Sequence, residues 1–397
     1  MNALLRAQLR RTLLYVTALC LIAFPAWSAS GDYAMQMAKA DTSMLLDIAA
    51  AGDRLVAVGE RGHILYSNDR GASWTQAEVP TSVMLTRVFF ISPDLGWAVG
   101  HDGNVLVSQN GGVNWELQRD GISAQALINE ERAGRAKVLM EDLYQQVKDA
   151  ADEDRAQLEE ALEEAAYALD NARETLEETV YAPPLMDVWF ANAEQGWAAG
   201  AYGSLLHTHN GGRQWNDYSH KVGNADELHL NGVVGAPDGT LYLASEWGTV
   251  FRSSTNGESW EALETGYDGS FFGVLVNPVT SSVFAYGLLG TVYRSNDQGE
   301  SWEEAPARAR ASLFGGIATE DGTLIFVGQG GTATRTQDDG LSFTALLQPS
   351  RAGLHGLAPM GDGRYMGTGD GGSRELATTG PAAPQGAGQS AEQGGTQ

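Results

Sequence analysis

The chain has 397 residues, 43% of them apolar, and a formal net charge of −25. That apolar share over such a length can bury one large core or two modest ones, which excludes disorder for most of the chain. The charge excludes partners that are themselves polyanions, so nucleic acid and anionic lipid surfaces are not expected ligands.

The first residues have the pattern of a secretory signal. Arg6, Arg10 and Arg11 precede an apolar run from Leu13 to Phe24, and "AWS" (26–28) supplies small residues for cleavage after Ser28 or Ala29. The run is shorter than the roughly 20 residues that span a bilayer. Residues 1–28 are therefore expected as a signal peptide, and the mature chain as an exported, periplasmic or luminal protein. Its loss takes 25 basic residues to 22 against 50 acidic ones, a net of −28. The one cysteine, Cys20, lies in this segment, so no disulfide or thiolate metal site is expected in the mature protein.

From Leu45 onward the sequence repeats. Seven units open on short apolar runs: "LLDIAA" (45), "LTRVFF" (85), "LMDVWF" (185), "LNGVVG" (230), "FFGVLV" (271), "LFGGIA" (313) and "LHGLAP" (354). Each continues through a "GxxG"-like turn: "GERG" (59–62), "GHDG" (100–103), "GAYG" (200–203), "SEWG" (245–248), "GLLG" (287–290), "GQGG" (328–331) and "GDGG" (369–372). Six units then carry a box closed by an aromatic, such as "SNDRGASW" (67–74). The closing residues Trp74, Trp115, Trp215, Trp260, Trp302 and Phe343 are separated by 41, 100, 45, 42 and 41 residues. Short alternating runs punctuated by Gly, Asp and Asn are strand and hairpin signals, and four strands per unit of about 42 residues is propeller arithmetic. The fold class expected is all-β: a seven-bladed β-propeller over 29–379. The segment before Leu45 is expected to add the missing outer strand of the seventh blade.

In the box, Asp69, Asp297 and Asp338, replaced elsewhere by Asn110, Asn210 and Thr255, hydrogen-bond the amides of their own loop. The glycine two residues later supplies positive φ, and the aromatic wedges between blades. Sixfold recurrence with such replacements marks a structural device rather than a catalytic aspartate.

The long interval holds an insert, 118–182, nearly free of glycine and β-branched residues. Ala133, Ala136, Met140, Leu143, Val147 and Ala150 step by three and four, and so do Leu158, Leu162, Ala165, Leu169, Ala172 and Leu176. The two stripes flank "DEDR" (152–155) and predict an antiparallel helical hairpin between blades two and three, stopped by "YAPP" (181–184). Arms of roughly 20 residues would project it about 30 Å. Strand order puts this connection on the face of the "GxxG" turns, opposite the boxes. The partner-binding candidates are accordingly Arg61, His101, Asp102, Tyr202 and Trp247 on those turns, with Arg87, Asp187, Phe272, Phe314 and His355 at the channel mouth. Beyond Ala377 the periodicity ends, and 380–397 is expected as a disordered tail.

The boxes resemble the Asp-box, or bacterial neuraminidase, repeat. Paired with upstream "GxxG" turns and the phrases "GWAVGHDG" (96–103) and "GWAAGAYG" (196–203), they are similar to the photosystem II stability and assembly factor family across roughly 40–375, outside the insert. The resemblance implies an exported, non-catalytic scaffold; a monomer without metal or cofactor is expected. It would chaperone a membrane-protein subunit or, outside phototrophs, an envelope or transporter complex. Asp-box propellers also include sialidases and glycanases. A glycoside hydrolase is therefore the competing expectation, with Asp102 and Asp187 the carboxylates that chemistry could use. The sialidase "RIP" signature is absent, and "HTH" (207–209) supplies two histidines on one strand face without a third ligand.

Overall fold

A computed structural model describes residues 33–378; the expected signal peptide, with Cys20, and the expected tail lie outside them. Seven antiparallel sheets follow one another along the chain, six of four strands and the last of three. Neighbouring inner strands pack in sequence from Leu45–Ala51 of blade one to Leu354–Gly361 of blade seven, which returns to blade one. The sheets thus close a ring, the seven-bladed propeller that the repeat predicts.

Each box pins a blade to the one before it. In the first, Asp69 Oδ1 accepts from Ser67 Oγ and from Ser73 N, both at 2.8 Å, while Ser67 Oγ accepts from Gly71 N at 2.8 Å. These bonds, those from Ser73 foremost, hold the Asp69 carboxyl down at about 2. In the fourth box Thr255 Oγ1 takes the same part, accepting from Ser259 N at 2.9 Å. The box glycines are left-handed and press on the preceding blade. A Cβ at Gly112 (φ +84°) would stand 2.6 Å from Val56, and one at Gly340 (φ +85°) 2.6 Å from Phe284. The aromatics fill the same seams, Trp115 against Val56 and Val58, and Phe343 against Phe284 and Phe326.

Ring closure differs from expectation. Blade seven keeps three strands, and Ala34–Met37 lies along the outer edge of blade one instead. Ala34 N donates to Val79 O at 3.0 Å, and Gln36 and Gln76 bind the opposing backbones. Met37 and Ala40 then enter the seam between blades one and seven. The physical reason is that the first box already closes that seam, with Trp74 packed beside Met366 and Gly71 pressed on it. No shared strand is required.

The insert forms α1 (Gly121–Asp149) and α2 (Asp152–Glu177), packed on each other. The expected seam residues are all buried or half-buried except Leu176, which is 46% exposed. "DEDR" is the first turn of α2 rather than the loop, which is Ala150–Ala151, and α2 ends before "YAPP". At 1.5 Å per residue the arms reach about 40 Å, longer than expected. Only the base of α1 is docked. Ile128 enters the core between blades two and three, and Arg132 Nε and Arg135 Nη2 donate to Asp217 Oδ2 at 3.0 and 3.1 Å.

Candidate partner-binding face and channel mouth

The "GxxG" turns are built by close approach. A Cβ at Gly59 would lie 2.2 Å from Met44 O, and one at Gly100 2.2 Å from Met84 O, so the chain entering each inner strand crosses against glycine. Blade four departs from this. Ser245 takes the glycine's place and its Oγ donates to His229 O at 2.8 Å. The third residue of the first five turns is left-handed and not glycine: Arg61 (φ 57°), Asp102 (54°), Tyr202 (54°), Trp247 (51°) and Leu289 (59°). Such φ values are rare for bulky residues and aim these side chains outward. Trp247 and Leu289 are each 68% exposed and Tyr202 53%, so blades three to five carry an apolar crescent. Tyr181, at the end of the insert, extends it by an edge contact with Tyr202 at 6.2 Å, and His229 stacks obliquely on Tyr202 at 5.0 Å.

The hairpin stands on this face, as strand order predicts. Gly121 N donates to Asn104 Oδ1 at 3.0 Å, and a Cβ on Gly121 would touch Asp102 O. The base of α1 therefore abuts the blade-two turn that displays His101 and Asp102. Between α1 and blade three, Arg132, Arg135, Tyr202, His220 and Glu227 line a cleft of about 320 Å³.

The ten candidates separate into three groups. Arg61, His101, Asp102, Tyr202 and Trp247 are exposed on the turns. Phe272, Phe314 and His355 meet as a half-buried row at the mouth, with centroids 5.9 and 5.3 Å apart and His355 Nε2 3.1 Å from Asp370 Oδ1. Arg87 and Asp187 lie below the mouth, not displayed on it. Arg87 Nε donates to Asp187 Oδ1 at 2.7 Å and stands 3.7 Å from Asp47 Oδ2.

Sequence reasoning missed Asp47, although it holds the third position of its opening run, as Arg87 and Asp187 do in theirs. Aligning "LLDIAA", "LTRVFF" and "LMDVWF" in register puts all three on one ring around the axis. Burial pushes the Asp47 carboxyl up to about 6 against the opposing pull of Arg87. Burial opposes the charge of Arg87, but its two carboxylate neighbours raise its pKa further. Tyr286, pushed up to about 12 by burial, reaches this cluster where Gly273 leaves room for its hydroxyl.

Two expectations about chemistry are also changed by packing. The Asp187 carboxylate accepts from Arg87, Val188 N and Val233 N and is fully engaged, so it is no free hydrolytic carboxylate. His207 is buried and stacked on Trp197 at 4.7 Å, with burial holding it down at about 4. Among the described residues no three His, Cys, Asp or Glu gather into a metal-binding group.

A family model described as photosynthesis system II assembly factor YCF48 matches residues 168–374, from within α2 to the last blade. No curated protein sequence matches significantly. Among solved structures, YCF48 bound to a D1 peptide aligns with TM-score 0.58 and 13% identity, over 88% of this chain and 97% of that one. YCF48 from Cyanidioschyzon merolae aligns at 0.55 and 14%, over 87% and 98%. Streptogramin B lyase aligns at 0.57 and 12%, over 85% and 94%. At these identities the structural likeness speaks for the fold alone.

Proposed function

The chain belongs to the photosynthesis system II assembly factor YCF48 family, and from that premise we propose that it is an exported, non-catalytic scaffold gripping a protein partner on its "GxxG" face. The observation that carries this reading is the crescent of Tyr202, Trp247 and Leu289. Large side chains are held out to solvent on left-handed backbone, which costs about 1–3 kcal/mol per residue. Exposed aromatics of this kind are what binding hot spots are made of. A YCF48 structure holds a D1 peptide, in keeping with a peptide as the partner class; the reading extends this to a segment of a membrane-protein subunit and, in a host without photosystems, to an envelope or transporter subunit. The hairpin, beside the crescent, serves as clamp or spacer. Export rests on the N-terminal pattern alone.

The hydrolase reading loses one of its two carboxylates to the Arg87 pair. Two measurements test the proposal. Affinity purification from envelope extract is expected to recover a membrane-protein subunit with the native chain, and not with a Tyr202→Ser, Trp247→Ser, Leu289→Ser variant of equal thermal stability. Equal recovery with the variant would move the site elsewhere, and cleavage of sialosides or β-glucans by the pure protein would replace the scaffold reading with an enzyme.

A further inference from the structure

The axial channel holds a chamber. Below the ion cluster a cavity of about 350 Å³ runs between the inner strands, walled by Ile48, Phe89, Trp189, Leu275, Ile317 and Leu357. Its lining extends from Asp47 to Ala50, about 10 Å at strand spacing, and so toward the box face. The row of Phe272, Phe314 and His355 lies at the other end of the channel, beyond the cluster.

The floor of this chamber is electrostatically incomplete. Two carboxylates, Asp47 and Asp187, each 5% exposed, share one guanidinium. Asp187 has three donors. Asp47 accepts from Val88 N at 3.0 Å and from the Ile48 amide, but meets Arg87 only at 3.7 Å. The groups facing Asp47 are Arg87 from blade two, Asp187 from blade three and the Tyr286 hydroxyl from blade five. One net negative charge is thus buried at the bottom of an apolar well, an arrangement that costs free energy unless a cation completes it.

We propose that this chamber is a binding site for a cation on an apolar stem, a primary ammonium or guanidinium entering from the box face, with its charge on Asp47 and its stem along the aliphatic walls. Phe89 and Trp189 add faces on which a cation is favoured. The large negative charge of the whole chain steers cations inward. A lysine or arginine side chain of another protein and a free alkylamine present the same chemistry. The site is independent of the partner face at the other end of the channel.

Calorimetric titration of the full chain at about pH 8 with n-hexylammonium is expected to show saturable binding, at least about tenfold tighter than n-hexanol. Asp47→Asn keeps an acceptor for Val88 N and is expected to weaken n-hexylammonium about tenfold or more. The native chain is expected to lose affinity similarly at about pH 4.5, where Asp47 takes up a proton, while Asp47→Asn shows no such step. Ala50→Trp, which narrows the outer end and spares the charge, is expected to abolish binding and serves if Asp47→Asn fails to fold. An acetylated, amidated peptide with one lysine distinguishes the sources: tighter binding than hexylammonium assigns a protein side chain, weaker binding a free amine. Absence of hexylammonium binding, equal binding of hexanol, or undiminished binding by folded Asp47→Asn would overturn the site.

Discussion

The box turns and the "GxxG" turns use the same backbone device for opposite ends. Arg70–Gly71 in the first box and Arg61–Gly62 in the first "GxxG" turn are both consecutive left-handed pairs, and so are Gln298–Gly299 and Trp247–Gly248. In the box, the Ser or Thr and the Asp or its replacement cap the loop amides, and the glycine sits hard against the preceding blade. In the "GxxG" turn the glycine also meets backbone, yet the residue before it projects into solvent. Backbone strain becomes glue where side chains close over it and display where they do not.

Four measurements sharpen that contrast. Trp115→Ala removes a wedge from the seam of blades one and two and is expected to cost about 3–5 kcal/mol in denaturant unfolding. Gly112→Ala forces a Cβ into Val56 at positive φ and is expected to cost about 2 kcal/mol by the same measurement. Trp247→Gly, at an equally left-handed position on the other face, is expected to leave stability within about 1 kcal/mol while partner capture falls. A loss there as large as at Gly112 would erase the distinction. The smallest effect is electrostatic. The folded-state pKa of Asp69 is about 2, below its ordinary 3.8, so its contribution is present above about pH 4 and lost as pH falls through 2. Asp69→Ala should therefore flatten the acid limb of a pH–stability profile.

Much of this architecture is legible in the chain because it repeats. The apolar openings, the glycine pairs and the closing aromatics fix seven blades and the role of the box, since each signal is local and recurs in register. The hairpin is legible from its three-and-four stepping, and the stripe fails only at Leu176, in the last turn of α2 at the root of the hairpin. What stays hidden is side-chain partnership across blades. Arg87 and Asp187 are 100 residues apart and Asp47 and Arg87 are 40 apart, so no local pattern tells a displayed charge from a neutralised one. Ring closure was misjudged for a related reason. A missing strand is visible in the sequence, whereas a seam already filled by Trp74 and Met366 is a property of packing.

The anchoring of the insert has a mechanical consequence. Gly121, Ile128, Arg132 and Arg135 bolt the root of α1 to blades two and three, and the turns beyond pack on the sister helix. The free part beyond Arg135 is a rod of about 20 Å, so a tilt of about 10° at Asp217 moves its tip through about 4 Å. The two arginines on that single carboxylate are thus the fulcrum that sets how far the arm can swing.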